Sequence, residues 1–176
     1  MINFNLYNPT NLCFGKDAHE QLATLIPSGS KVLMTYGGGS IKSNGTYDKV
    51  IAALSSFEVV EFGGIEPNPD FDTLSRALDI IKTQNITFLL AVGGGSVIDG
   101  TKFLASAALY DGDDAWDILD KGIRTEVGMP FGTVLTLPAT GSEMNSGAVI
   151  SRRAIGQKRG MGGPGLFPLF SICDPT

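Results

Sequence analysis

The chain has 176 residues, 18 acidic against 13 basic, a formal charge of −5, and 23 glycines. That length suits one domain with a substantial core, the acidic balance excludes a binder of nucleic-acid phosphates, and the glycine content excludes a helix bundle. No segment reaches the run of about 20 apolar residues that a bilayer span requires, and no charged start precedes an apolar run at the N-terminus, so the expected location is cytoplasmic, without a membrane partner.

Ile2, Phe4 and Leu6 alternate ahead of a turn at Asn8-Pro9, and Leu12-Cys13-Phe14 follows, which predicts a β-hairpin-like opening. Asp17 is placed to cap a helix carrying Ala18, Leu22, Leu25 and Ile26, closed by Pro27. Lys31–Thr35 predicts a strand running into Gly37-Gly38-Gly39-Ser40. Helical spacing follows through Tyr47, Val50, Ile51 and Leu54, and Val59–Phe62 predicts a second strand ending in Gly63-Gly64. Pro67-Asn68-Pro69 forces extended backbone before Asp70 caps a helix with Phe71, Leu74, Leu78 and Ile81 on one face. Phe88–Val92 predicts the third strand, Gly93-Gly94-Gly95-Ser96 a tight turn, and Val97 to Ala108 a helix. Beyond the acidic loop Asp111-Gly112-Asp113-Asp114 and the amphipathic segment Trp116–Leu119, strands are expected at Thr133–Leu137, Ala148–Ile150 and Leu169–Cys173. Cys13 and Cys173 sit in apolar segments without metal spacing and read as reduced core residues. Strands alternating with helices predict an α/β fold: a Rossmann-like, doubly wound, mainly parallel sheet within one domain, residues 1–176, with extra β segments at the N-terminus and in the C-terminal third.

The two glycine turns are the chemically distinctive feature. Residues without Cβ let backbone N–H groups approach a phosphate, and a following helix N-terminus adds partial positive charge. Gly94, Gly95 and Ser96 therefore form a phosphate-binding candidate, set against a tight turn alone. Asp99, in the first helical turn, either compensates the helix dipole or holds the turn. At Gly37, Gly38, Gly39 and Ser40, no acidic residue stands where one would reject a 2′-phosphate, and Lys42 follows, a pattern that admits NADP. Thr136, Thr140 and Ser142 place hydroxyls around the carboxyl end of a strand, and Lys158 lies in the basic run Arg152–Arg159, either a phosphate contact or a surface loop. No catalytic constellation emerges. The only histidine, His19, reads as solvent-facing, and no Cys/His metal spacing or Gly-x-Ser-x-Gly elbow occurs.

Asn3-Phe4-Asn5, Phe14-Gly15-Lys16, Tyr36–Ser40, Phe62–Pro69, Ala91–Lys102, Leu135–Glu143, Gly147–Arg152 and Asp174-Pro175 together resemble the iron-containing (group III) alcohol dehydrogenases. The likeness is to the NADPH-dependent aldehyde reductase and butanol dehydrogenase branch. The resemblance implies an NADP cofactor, with Gly38, Gly39 and Ser40 at the adenosine 2′-phosphate. Asn68, Gly94, Gly95, Ser96 and Asp99 would follow on the nucleotide, and Thr136, Leu137, Thr140, Asn145 and Lys158 would line the ribose and nicotinamide. It also implies a homodimer or larger oligomer and, after Asp174-Pro175, an all-helical domain bearing one Asp and three His as metal ligands. Those positions lie beyond Thr176, so this stretch is expected to be a truncated, nucleotide-binding half without metal, not competent alone, whose activity a separate helical-domain chain would restore; the alternative is a non-catalytic NADP(H)-binding or interaction module. The mean hydropathy of +0.13 and the tail Leu166–Phe170 predict uncovered apolar surface. The glycines and proline of Gly160–Gly165 depart from the polar strand expected after Lys158.

Overall fold

The central strands are buried along nearly their whole length, and burial on both faces builds the molecule. The computed structural model describes residues 3–176. In chain order it contains β1 (Asn11–Phe14), α1 (Leu22–Leu25), β2 (Lys31–Tyr36), α2 (Ser40–Ser43), α3 (Thr46–Ala53) and β3 (Glu58–Phe62). Then come α4 (Phe71–Thr83), β4 (Phe88–Gly94), α5 (Gly95–Ala107), α6 (Asp117–Asp120), β5 (Phe131–Leu137), β6 (Gly147–Arg152), β7 (Gln157–Gly162) and β8 (Phe170–Cys173). Six strands form one sheet in the order β1-β8-β5-β4-β2-β3, with every neighbouring pair parallel. Leu33, Leu89, Ala91 and Phe131 point to one face and pack with α4, α5 and α6. Val32, Met34, Phe88, Leu90 and Val92 point to the other, with Leu22, Val50 and Leu54. A strand buried on both faces has no polar side to alternate with, so it reads as a continuous apolar run.

The helix over Phe71–Thr83 starts where its sequence places it. Asp70 Oδ1 accepts from the Asp72 amide at 3.1 Å and thereby caps it. Leu74 is wholly buried and Ile81 nearly so, each such side chain contributing about 1.5–3 kcal/mol. Phe71 meets Phe103 and Trp116 edge to face, tying the α4, α5 and α6 layer together.

Several expectations are corrected. Phe4 and Leu6 lie outside any strand and are 85% and 81% exposed; Ile2 lies outside the described residues. The opening is no hairpin, because β1 pairs in parallel with β8, which arrives from the far end of the chain. Asp17 has a left-handed backbone (φ 60°) and makes no side-chain cap. Most of the tail is core, since Leu166 is wholly buried and Phe170 stacks on Phe88, whereas Leu169 stays 48% exposed. Gly160–Gly162, despite its glycines, belongs to β7 and pairs antiparallel with β6 in unbroken register from Gly147↔Gly162 to Arg152↔Gln157. Backbone hydrogen bonding fixes that ribbon, and Lys158 falls opposite Ser151.

Candidate functional site

Strand order fixes where a ligand can sit. From β2 the chain moves outward to β3, then returns to the other side of β2 as β4. That reversal opens a crevice between the carboxyl ends of β2 and β4, the place where open α/β sheets bind ligands. Gly37–Ser40 leaves β2 and Gly93–Ser96 leaves β4, so the two glycine turns flank this crevice.

The glycines of these turns are not equivalent. A Cβ on Gly93 would stand 2.6 Å from Val97 Cγ2, and one on Gly95 would stand 2.5 Å from Thr140 Oγ1. Close packing requires these two. Gly39 has φ 103°, a conformation that favours glycine. At Gly38, by contrast, a Cβ would have no atom within 4 Å, and one at Gly94 would meet only ordinary contacts beginning at 3.6 Å. Packing gives no reason for glycine at Gly38 or Gly94, and both leave space at the crevice. Behind Gly94, α5 begins without a side-chain cap, and the first amides of a helix have no partner within it. Open space, free amides and the positive end of a 13-residue helix together fit a pyrophosphate.

Other expected residues converge from distant segments. Asn68, at φ 56°, donates its amide to Ser96 Oγ at 3.4 Å and accepts from Lys158 Nζ at its own Oδ1 at 2.7 Å. Arg153 holds the same turn through the carbonyls of Pro67 (3.1 Å) and Asn68 (3.0 Å). Nothing in sequence spacing points to Arg153; β6 simply delivers it. Asp99 lies beyond the first turn of α5, which carries no acidic residue, and it turns to a different loop. Its carboxylate accepts from Ser142 Oγ at 2.7 Å and from the Val149 amide at 3.0 Å. Asn145 Oδ1 is occupied by its own loop, accepting from the Gly147 amide at 3.0 Å. Thr136, Leu137 and Thr140 are exposed at the end of β5, where a register shift sets Leu137 opposite Gly94. Beside Ser40, Lys42 Nζ lies 5.1 Å from the Tyr36 ring and 4.8 Å from the Tyr47 ring, whose hydroxyls both donate to Glu61.

A cleft of about 680 Å³ lies across the strand ends from the glycine turns, lined by Asn44, Thr46, Thr136, Pro138, Cys173 and Asp174 among others. His19 also lines it and is corrected here: its side chain is only 12% exposed, and Nδ1 lies 3.4 Å from Asp174 Oδ2. Asp17, His19 and Asp174 offer ligand atoms within 4.8 Å of one another. They do not fit a metal ion. Asp174 Oδ2 already accepts from the Asp17 amide and lies 3.7 Å from the Lys49 ammonium, which would repel a second cation. Hydrogen bonds, foremost from the Thr176 hydroxyl, hold the Asp174 carboxyl well below the usual range against the opposing effect of burial.

Residues 9–175 match the family described as iron-containing alcohol dehydrogenase. This chain belongs to the iron-containing alcohol dehydrogenase family. It is 52% identical over 178 residues to the NADPH-dependent aldehyde reductase YqhD of Escherichia coli, spanning 100% of this chain and 46% of that protein. To a Bacillus subtilis protein named "Probable NADH-dependent butanol dehydrogenase 1" it is 54% identical over 179 residues, again 100% of this chain and 46% of the relative. Among solved structures, that of E. coli YqhD superposes with a TM-score of 0.94 at 52% identity, over 98% of this chain and 45% of that one. NADH-dependent butanol dehydrogenase A from Thermotoga maritima gives 0.92 at 41%, over 98% and 44%. The chain thus spans about half the length of the family members it matches, and its Rossmann-like α/β domain is theirs.

Proposed function

We propose that residues 1–176 form the dinucleotide-binding domain of an NADP-dependent alcohol/aldehyde oxidoreductase. The observation that carries this reading is the pair of glycines, Gly38 and Gly94, that no packing demands, one on each side of the switch-point crevice. Gly94, Gly95 and Ser96 would hold the pyrophosphate with α5 behind it. Gly37, Gly38, Gly39 and Ser40 would hold the adenosine ribose and its 2′-phosphate, with Lys42 supplying a nearby cation. Asn68, held by Lys158, and the hydroxyls of Thr136 and Thr140 would line the rest, with the adjoining cleft of about 680 Å³ giving a base a partly apolar pocket. The relatives' own names divide between NADPH and NADH. The absence of an acidic residue at Gly37–Ser40 favours NADPH.

Bound NADPH supplies hydride. The chain's own contribution is to orient the cofactor; a metal that polarises a carbonyl finds no fitting donor set among the described residues, and catalysis rests on a helical, metal-bearing domain on this or another chain.

A second copy is the proposed protein partner. Phe4 and Tyr7 ahead of β1 and Phe14 at the end of this edge strand are 85%, 84% and 73% exposed, and exposed apolar side chains with an open strand edge favour association. No described helix is long and apolar enough to cross a membrane; a cytoplasmic setting follows from the proposed cofactor.

Calorimetric titration with NADPH and NADH tests the reading. Micromolar binding, tighter for NADPH and weakened by Ser40→Asp, supports it. No binding of either nucleotide would leave an oligomeric interaction module.

A further inference from the structure

A lysine with no exposed surface lies in the middle of α5. Lys102 is 0% exposed, and its neighbours Phe103, Leu104 and Ala105 are wholly buried around the same turn. Burying an ammonium is costly unless each N–H finds an acceptor. Here Nζ donates into a ring of oxygens, all from one loop: Ser142 O at 2.7 Å, Ser142 Oγ at 2.9 Å, Asn145 Oδ1 at 2.9 Å and Gly147 O at 2.9 Å. One helical turn earlier, Asp99 takes the Ser142 hydroxyl and the Val149 amide. An anion and a cation three residues apart on one helix face therefore grip both ends of the segment Ser142–Val149. The same loop carries Thr140, whose hydroxyl fills the space beside Gly95. The helix that offers its N-terminus to the crevice thus also fixes the loop forming the crevice's other wall.

We infer that Lys102, acting with Asp99, is a positioning residue that sets the Thr140–Gly147 loop against the Gly94-Gly95-Ser96 turn and so shapes the site for its ligand. Lys102 itself touches no ligand. Its consequence for cofactor affinity rests on the nucleotide reading above, whereas its grip on the loop does not.

The experiment compares the wild-type 176-residue chain with Lys102→Met and with Leu104→Ala, a core truncation of the same helix whose side chain is also wholly buried. Amide hydrogen exchange is followed over Thr140–Gly147, and NADPH affinity is read from the emission of the bound nicotinamide. In the wild type, loop amides should exchange far more slowly than those of the Asp111–Asp114 loop. Lys102→Met should speed loop exchange at least tenfold relative to β4 and raise the NADPH Kd at least tenfold. Leu104→Ala should lower Tm without either effect. Equal losses of affinity in both variants would overturn the inference, as global destabilisation would then explain them. A wild-type loop exchanging as freely as Asp111–Asp114 would overturn it too, without any need for Lys102→Met to fold. A wild type that binds no NADPH overturns the nucleotide reading alone, because exchange reads the clamp without ligand.

Discussion

Lys158 Nζ and Asn68 Oδ1 lie 2.7 Å apart although 90 residues separate them in the chain. With its oxygen taken by the ammonium and its backbone amide turned to Ser96, Asn68 has a fixed amide orientation in which its NH₂ remains available as a donor. Lys158 is exposed, so Lys158→Ala should change stability by no more than about 0.5 kcal/mol. It should still weaken NADPH binding severalfold by freeing Asn68 to rotate. Thermal melts beside a calorimetric titration separate the two effects; unchanged affinity would make the contact a surface pair of no functional weight.

Gly93 and Gly94 are neighbours with opposite requirements. Gly93→Ala forces a methyl to 2.6 Å from Val97 Cγ2 and should cost about 1–3 kcal/mol through overpacking. Gly94→Ala meets only ordinary contacts, so its Tm should stay near the wild-type value while NADPH affinity falls at least tenfold, the methyl occupying the phosphate cradle. Denaturant unfolding and titration of both variants give the comparison. Loss of stability at Gly94 with affinity intact would reverse the assignment.

Gly38 is exposed with empty space around its Cβ position. Gly38→Asp should therefore fold as the wild type does, yet place a carboxylate where the 2′-phosphate is proposed to sit. The NADPH-to-NADH affinity ratio should fall by at least tenfold, driven mainly by loss of NADPH. An unchanged ratio would move the adenosine end away from this turn.

The Lys102 clamp has a pH signature whose sign follows from burial. Desolvation pulls the ammonium from 10.5 down to about 8, with Asp99 and Glu143 opposing. Between those values the unfolded chain holds the proton and the folded chain does not. The lysine's contribution to stability therefore rises as pH increases through that window. The Tm difference between wild type and Lys102→Met should shift in favour of the wild type between pH 8 and pH 10.5. A flat difference would mean that the surrounding oxygens keep the ammonium charged at its ordinary value.

Exposed Phe4, Tyr7 and Phe14 predict self-association. Light scattering at micromolar concentration should give a dimer or larger species, and Phe4→Ser with Tyr7→Ser should shift it toward monomer. A wild-type monomer would remove the second copy as partner.

Local sequence determined the periodic elements of this protein. Leu33, Leu89, Leu90 and Val92 form strands because an unbroken apolar run can be buried on both faces of a sheet, and Phe71, Leu74, Leu78 and Ile81 form one face of a helix that Asp70 starts. The glycine turns were equally legible, since three residues without Cβ between a strand and a helix have few other uses. Relations between distant segments were not. That β1 pairs with β8 rather than folding into a hairpin, that the glycine-rich segment at Gly160 is an ordered strand, and that His19 faces Asp174 all depend on strand order. The same holds for the difference between Gly93, which packing requires, and Gly94, which it does not, and for the way Asp99 and Lys102 together hold the Ser142–Val149 segment. Composition and periodicity report what each residue can bury or bond; only the tertiary structure decides which partner it meets.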